Sequence, residues 1–226
     1  MEKSKIVQKI EAFAPLETQE KWDCSGWLVK TSQTEIKKIL LCLTVTNDIV
    51  RQAREQNCDM IISHHPLFCV PLGWKNIDIY CAHTNLDKVH GGTTDTLVET
   101  LGFKISESQE FVRYVNVEIS VEEFLMKLKE VSPNLRYVNN QGVKMLKKVA
   151  FCAGSGSEFI QEACENGADA FVTGDLKFHT ALESPIVLFD IGHFESEILV
   201  LPVFEKIIGL ECVYADEKSP FINIDK

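Results

Sequence analysis

Three predicted strand ends carry side chains that could bind a metal ion. The apolar run "MIIS" leads directly into two adjacent histidines, and "IDIYCA" and "IVLFDIG" each lead into a histidine with a carboxylate four residues later. Open α/β sheets bind ligands at the carboxyl ends of their strands. The sequence therefore predicts a metal site there. Its predicted ligands are His64, His65, Asp87, His193 and Glu197, and His83 shares one of these strand ends.

The spacing of these residues constrains how they could share ions. Neighbouring residues on an extended strand project to opposite sides, so we expect His64 and His65 to face apart. Such an arrangement suits two metal ions, or one metal ion and one substrate contact. His193 and Glu197 are four residues apart at a predicted helix start, which puts both on one helical face. There they could hold one ion or bridge two.

Each of these signals also has an ordinary structural explanation. A single histidine after a strand is more often a hydrogen-bonded loop residue, and Asp87 could be a turn or helix-capping residue. The sequence around His90 indicates a loop residue. The convergence of all five candidate ligands on corresponding sheet edges favours the metal site.

The ligand types narrow the choice of ion and reaction. Imidazole and carboxylate without thiolate favour zinc, iron, manganese or another borderline divalent cation. Two ions sharing a carboxylate would lie ~3.5–4 Å apart and would lower the pKa of water to about 7, which suits attack on an ester, phosphate or cyclic amide. The sequence has no competing G-x-S-x-G elbow or P-loop.

An internal repeat organises the elements that must position these residues. The stretch from Lys37 to Ser63 aligns without a gap on Lys147 to Thr173, 110 positions later. Each copy contains an apolar strand with a cysteine, a helix, and a second strand opened by an aspartate. The same offset pairs His83 with His193 and Asp87 with Glu197. Duplication is the favoured interpretation, and two ordinary βαβ units of similar pattern are the alternative.

The repeat predicts an α/β fold of two similar halves, each with a mostly parallel sheet flanked by helices. We place the first half at residues 1–114 and the second at 115–226, with the C-terminal segment as a candidate to pack back on the first half. The linking stretch "SVEEFLMKLKEV" is amphipathic.

Composition excludes several classes of partner. The chain has 226 residues and a formal net charge of −10, which opposes attraction to nucleic-acid phosphates. It has no apolar stretch approaching the ~18 residues that would span a bilayer. Its eight cysteines are scattered without a C-x-x-C pair. We therefore expect reduced core thiols in a cytoplasmic protein.

Several motifs together resemble one protein family. "ISHHPLF", "AHTNLD", "ADAFVTGDLKFH" and "DIGHFESE" resemble, in order and spacing, the Nif-three-like dinuclear-metal-centre proteins, also named GTP cyclohydrolase I type 2. "WDCSGW" looks like an N-terminal element of that family and "SPFINI" like its closing segment. The resemblance implies two α/β domains with a dinuclear site between them, a toroidal homohexamer, and the five ligands already chosen. Many relatives insert an extra domain between the halves, and the linker from Val115 to Gln141 is too short for one, so the resemblance is to the minimal form of the family.

The resemblance also suggests residues beyond the ligands. His179 matches a family position near the metals, and with Asp175 it is our candidate for ligand orientation or proton transfer. Alternatively, Asp175 ends a strand and His179 caps a helix. Trp22 and Asp23 could form a wall over the cavity, although a core tryptophan and a helix cap are the commoner roles. Thr44 stands where relatives often have an acidic residue.

The function that follows is a metal-dependent hydrolase acting on a small nucleotide-like or phosphorylated substrate. GTP ring opening is the activity suggested by the family name. The alternative is a non-catalytic metal-binding or regulatory ring.

Overall fold

The structure is a computed structural model that describes residues 1–133 and 135–221. Eleven strands and nine α-helices lie within these residues. The strands are β1 (Gly26–Val29), β2 (Ile39–Cys42), β3 (Met60–Ser63), β4 (Asp78–Cys81), β5 (Ile105–Gln109), β6 (Val112–Ser120), β7 (Arg136–Val138), β8 (Met145–Ser155), β9 (Ala170–Gly174), β10 (Val187–Asp190) and β11 (Cys212–Tyr214). The helices are α1 (Lys3–Phe13), α2 (Asn47–Glu55), α3 (Thr84–Lys88), α4 (Thr93–Thr100), α5 (Val121–Val131), α6 (Ile160–Glu165), α7 (Phe178–Leu182), α8 (His193–Glu197) and α9 (Leu201–Ile208).

The first compact unit consists of Met1–Gly92 and Val200–Lys218. Its sheet has the order β1-β4-β3-β2-β11, in which only the β1–β4 pair is antiparallel. Strands β2, β3 and β4 are buried along their whole length, which explains their nearly continuous apolar sequence. Helix α2 connects β2 to β3 and begins where the Thr46 hydroxyl accepts the N–H of Ile49.

The second unit consists of Thr93–Leu199 and a segment that begins at Ser219. Its sheet has the order β5-β6-β8-β9-β10-β7. Strands β8, β9 and β10 are parallel, whereas β5, β6 and β7 pair antiparallel at the two sides. Helix α5 begins with a capping box between Ser120 and Glu123. The predicted α/β class is confirmed, with a mixed rather than mostly parallel second sheet because β6 joins it antiparallel to β8.

The boundary between the units differs from the predicted division at residue 114. Helix α4 and strand β5 belong to the second unit, because β5 forms a hairpin with β6 and α4 packs on β8. Helix α9 and strand β11 lie within the predicted second half, but they belong to the first unit, where β11 pairs with β2. The last five residues of the predicted second half, including the end of "SPFINI", lie outside the described residues.

Within each unit, the repeated stretches have the same strand register. Ile39 pairs with Met60 in the first sheet, and Val149 pairs with Ala170 in the second, 110 positions later in each case. Asp59 and its counterpart Asp169 each accept the backbone N–H groups of the preceding lysine pair. These shared details support the internal repeat.

The offset falls to 109 after the second strand of each repeat. Strand β10 begins at Val187, 109 positions after Asp78 at the start of β4, and α8 begins 109 positions after α3. The residue before α3 is His83, whereas the residue before α8 is Gly192. The predicted pairing of His83 with His193 is therefore wrong by one residue. The cause is that the start of β10 follows the start of β9 by one residue fewer than the start of β4 follows the start of β3.

The cysteines are thiols, but only some belong to the core. Four are buried, namely Cys42, Cys58, Cys81 and Cys152, and two are exposed, namely Cys24 and Cys69. The expectation of core thiols throughout is wrong for the exposed pair, which lie in loops. Among the helices of the described residues, none combines the length and apolar character needed to cross a membrane.

A buried ion pair anchors α1 to the first sheet. The Lys3 ammonium lies 3.0 Å from the Asp78 carboxylate, which also accepts the backbone N–H of Thr31 at 2.6 Å. Both charged side chains are nearly inaccessible to water. Removal of one partner would leave the other charge buried without compensation.

We predict that Asp78→Ala lowers the free energy of unfolding of the first unit by about 3–5 kcal/mol. The matched control is Glu55→Gln, which removes one carboxylate of an exposed ion pair with Arg51 and should change the free energy of unfolding only slightly. Urea unfolding followed by tryptophan fluorescence measures this unit selectively, because Trp22, Trp27 and Trp74 all belong to it. Equal losses in the two variants would contradict the prediction.

Candidate metal centre

Two adjacent imidazoles follow β3 in the first unit. The backbone N–H of His64 donates to Cys42, and that of His65 donates to Leu43, so both point toward the β2 side. In a regular strand, successive N–H groups would point to opposite sides. The local twist brings the two ring centroids to within 5.0 Å of each other. The expectation that His64 and His65 face apart is therefore wrong, because strand alternation ends at Ser63.

The His64 imidazole is completely buried. Its Nδ1 lies 3.0 Å from the carbonyl oxygen of Ala82, directly after β4. Its Nε2 lies 3.4 Å from Oδ1 of Asp87, on the short helix α3. Two of the predicted ligands thus lie side by side within the first unit.

The His65 imidazole is held by Thr44, which lies two residues after the end of β2. Its Nδ1 lies 2.6 Å from the Thr44 hydroxyl oxygen. The backbone N–H groups of Leu43 and Thr44 both donate to the Glu217 carboxylate, at 2.7 and 3.2 Å. Burial raises the pKa of Glu217, although these two N–H groups oppose the increase. The Thr44 hydroxyl therefore contacts a predicted ligand. The observation that relatives often have an acidic residue at this position did not reveal that contact.

The His83 imidazole is held by Asp23, whose side chain is inaccessible to water. His83 Nδ1 lies 3.0 Å from Asp23 Oδ1, and the carboxylate also accepts the Ser25 hydroxyl and the backbone N–H of Thr84. Burial alone would raise the pKa of Asp23, but the hydrogen bonds from His83 and Thr84 and the charge of His83 lower it well below its usual range. Asp23 is therefore an ionised acceptor.

The Trp22 ring next to Asp23 is an exposed side chain rather than part of the core. It is 62% exposed and approaches the His83 ring edge-on, with centroids 6.0 Å apart. Asp23 contacts the start of α3 through Thr84, as the capping interpretation expects, but it also orients His83.

In the first unit, three imidazoles form a group that could hold a metal ion. His64, His65 and His83 each offer a ring nitrogen, and these nitrogens lie within 4.8 Å of one another. Their ring centroids are 5.0, 5.2 and 5.8 Å apart.

In the second unit, His193 lies between two carboxylates. Its Nδ1 is 2.7 Å from Asp175 Oδ2, and its Nε2 is 3.0 Å from Glu197 Oε2. Burial lowers the pKa of His193, but the hydrogen bonds and charges of Glu197 and then Asp175 outweigh it and raise the pKa to about 9. Because a metal ion binds the neutral imidazole, protons compete with metal at His193 until the pH approaches that value.

Two glycines leave the space that this arrangement requires. A Cβ on Gly154 would lie 2.1 Å from Glu197 Oε1, and Gly154 has a φ of +68° that favours glycine. A Cβ on Gly174 would lie 2.7 Å from the backbone nitrogen of His193. The first residue of α8 therefore packs directly against the end of β9.

The two predicted catalytic residues have different surroundings. Asp175 orients the His193 ring, which agrees with the interpretation as an orienting group. His179 is exposed on α7, where its ring contacts Phe178, and the helix-capping position is occupied by Lys177. A catalytic role for either residue stays a prediction.

Comparison with known proteins gives a consistent result over nearly the whole chain. A family model described as Duf34/NIF3 (NGG1p interacting factor 3) matches residues 1–221. A Campylobacter jejuni protein named GTP cyclohydrolase 1 type 2 homolog is 34% identical over 244 residues, covering 98% of this chain and 99% of that protein. A Clostridium perfringens protein of the same name is 35% identical over 240 residues, with coverages of 92% and 91%.

Among solved structures, a Staphylococcus aureus hypothetical protein superposes with a TM-score of 0.86. It is 23% identical in sequence, and the match covers 99% of each chain. This likeness shows that the two proteins share a fold.

The paired carboxylates around His193 lead to a titration prediction. In the metal-free protein, Glu197→Gln should lower the pKa of His193 from about 9 toward its ordinary value of 6.5, and Asp175→Asn should lower it less. The reason is that Glu197 contributes more to the increase than Asp175. NMR titration of the imidazole resonances measures both effects, with His193→Ala used for assignment.

The matched control is Glu195→Gln, which removes one negative charge from the same helix. Of the three variants, Glu195→Gln should change the pKa of His193 the least. An unchanged His193 pKa in Glu197→Gln would contradict the proposed cause.

Proposed function

Because this chain belongs to the Duf34/NIF3 family, we propose that it binds two divalent metal ions and hydrolyses a small nucleotide-like or phosphorylated substrate. The family match confirms the resemblance that the sequence motifs suggested. The observation that carries the proposal is the donor set of the first unit. There, imidazoles and one carboxylate gather at the ends of β3 and β4.

The donor set fits a borderline divalent cation. The Nδ1 atoms of His64 and His65 contact a carbonyl and a hydroxyl oxygen, an arrangement typical of imidazoles that bind metal through Nε2. His193 has the corresponding contact with Asp175. Imidazole and carboxylate together favour zinc, iron or manganese. We propose that His64, His65, Asp87, His193 and Glu197 serve one dinuclear centre, a combination that the motif resemblance supports.

Different residues of the chain would have different roles in hydrolysis. Divalent ions, when bound, would supply a water whose pKa is lowered to about 7 and would polarise the oxygen bonded to the carbon or phosphorus under attack. Asp175 keeps the Nδ1 proton on His193 and thereby directs Nε2 toward the ligand side. The exposed Trp22 ring offers a flat apolar surface on which a planar heterocycle could stack. His179, exposed on α7, is the candidate for proton transfer.

The names of the relatives supply a first candidate substrate. Both similar bacterial proteins are named as homologues of GTP cyclohydrolase 1 type 2, so GTP belongs in any test. The proposal extends to other nucleotides and phosphoesters, because the metal chemistry acts on each of these bonds. The homohexamer and the cytoplasmic location stay predictions from the sequence.

We predict that the chain binds about two divalent ions and that Glu197→Gln weakens the binding of both. A bridging carboxylate contributes to each ion, so its loss should change both steps of a chelator-competition titration. Elemental analysis gives the stoichiometry, and Glu195→Gln is the control for loss of charge on α8. Two ions with unaltered affinities in Glu197→Gln would contradict the bridging role.

We also predict turnover of at least one member of a panel of nucleotides and phosphoesters, including GTP, after the metal has been restored. In His179→Ala the metal content should be retained while turnover falls by ~10²–10⁴-fold, the usual effect of removing a proton-transfer group. Loss of metal would instead make His179 a ligand. Two bound ions without turnover of any compound would favour the non-catalytic ring.

A further inference from the structure

We propose that a cleft of the second unit, between strand β7 and helix α7, binds the phosphate group of a nucleotide-like substrate. Arg136 and Lys177 line the cleft and would bind the phosphate, while Phe178 would contact the planar part of the same molecule. The choice of a phosphate ligand rests on the proposed function. The cleft itself is formed entirely by residues of the second unit.

The cleft has the size and the apolar floor of a small-molecule site. Its volume is about 310 Å³. Val138 of β7 and Leu176 line it, and both pack against the buried cluster that contains Leu188. Helix α7 contributes Phe178 and Ala181 to the lining. A ligand with an apolar part would therefore exclude water from this floor.

A buried carboxylate orients the guanidinium of Arg136. Arg136 lies opposite Asp190 in the β7–β10 ladder, and its Nη2 donates to Asp190 Oδ2. The Asp190 carboxylate also accepts the backbone N–H of Leu176 at 3.3 Å and that of Gly192 at 3.1 Å. Both of its oxygens thus have donors within the protein. Asp190 therefore fixes Arg136 beside the cleft and has little capacity to repel an anion there.

The guanidinium keeps donors for a ligand. The Arg136 side chain is 72% exposed, and its one hydrogen bond to the rest of residues 1–133 and 135–221 is made by Nη2. The other nitrogens of the planar group can bind two oxygens of a phosphate at once. An ion pair that only joined β7 to β10 would need a positive charge, whereas two-point binding of a phosphate needs the arginine.

The charge lining the cleft is opposite in sign to that of the chain. Arg136 and Lys177 outnumber the single carboxylate of Asp190, whereas the chain has a net charge of −10. An anionic ligand is therefore attracted to this cleft more than to the average surface of the protein.

Phe178 gives the cleft a surface for a planar group. Its side chain is 72% exposed, and it follows Lys177 directly in the chain. An exposed aromatic residue on its own needs no explanation. Next to two cations, however, its ring can stack on a heterocycle whose phosphate those cations bind. A nucleoside monophosphate combines the two groups.

The cleft adjoins residues to which the proposed function gives chemical roles. Leu176, on its floor, follows Asp175, whose carboxylate contacts His193. Helix α7 carries both Phe178 and His179, the candidate for proton transfer. The cleft would therefore contribute to substrate binding next to these residues and take no part in bond cleavage.

The test is isothermal titration calorimetry of the metal-free full chain with adenosine 5′-monophosphate and guanosine 5′-monophosphate. Both should bind more tightly than adenosine and guanosine. Arg136→Gln should weaken monophosphate binding by ~10–100-fold, the usual effect of losing hydrogen bonds to a charged group. Lys177→Gln should weaken it by ~2–5-fold, as for an exposed ion pair. Lys129→Gln is the matched control, an exposed lysine on α5, and should leave the affinity unchanged.

Two further variants separate the expected contacts from a structural role. Phe178→Ala should weaken monophosphate binding by ~10-fold through loss of stacking and leave the binding of inorganic phosphate unchanged. Arg136→Lys keeps the charge beside Asp190 but should recover only part of the affinity lost in Arg136→Gln. Circular dichroism checks the fold, and Lys177→Gln and Phe178→Ala alter exposed side chains and serve as the test if Arg136→Gln is unfolded. Monophosphate affinity unaltered in these variants, or no monophosphate binding by the unaltered chain, would overturn the inference.

Failure of the cleft and failure of the proposed function give different results. Monophosphate binding that depends on Arg136, without turnover of any compound, would refute the hydrolase and support the cleft. If the chain turns over a phosphorylated compound, Arg136→Gln should raise KM and leave kcat nearly unchanged. Turnover with an unaltered KM in Arg136→Gln would refute only the cleft.

Discussion

The parallel pairing of buried apolar strands is the constraint on which both units depend. In the first unit β2, β3 and β4 are buried along their whole length, so polar side chains can appear only where the strands end. The Ile39–Met60 register then fixes which strand ends are neighbours. His64 comes to lie beside Ala82 through the β3–β4 ladder, in which Ser63 pairs with Cys81, and no contact between the histidines themselves is needed to bring them together. The position of the site therefore follows from the strand order and register of the sheet.

A change of one residue in a loop gives the two units different chemistry. After the second strand of the repeat, His64 occupies the position that corresponds to Gly174. The start of the next strand comes one residue sooner after the start of this strand in the second unit, and the start of α8 lies so close to Gly174 that a Cβ there would meet backbone atoms. An imidazole cannot occupy that space. The first unit, with its longer connection, accommodates His64 with its Nδ1 on Ala82.

Much of the fold and part of the site could be predicted from the sequence because both follow from regular patterns. Apolar runs identified the strands, and the position of His64 at a strand end followed from Met60–Ser63. The tilt of His65 toward His64 could not be predicted, since strand alternation fails where the chain leaves the ladder. The role of Thr44 was also missed, because its partner Glu217 is far along the chain and no local spacing connects them. The contact between His83 and Asp23 was not predicted either, and the signal that could have supported it was the aspartate of "WDCSGW".

The position after Gly174 shows how the repeated backbone plan supports two kinds of polar group. Asp175 corresponds to His65 in the repeat, and its φ of +56° lies in the left-handed region that aspartate tolerates better than most residues. From there its carboxylate reaches His193 Nδ1. In the first unit the corresponding position supplies an imidazole instead, and the carboxylate that orients a neighbouring ring comes from Asp23. Each unit thus pairs an imidazole with a carboxylate on its Nδ1 atom, and in the first unit that carboxylate comes from the loop before β1, outside the repeated stretch. The rings of His64, His65 and His83 lie next to one another, whereas His193 has carboxylates next to both of its ring nitrogens.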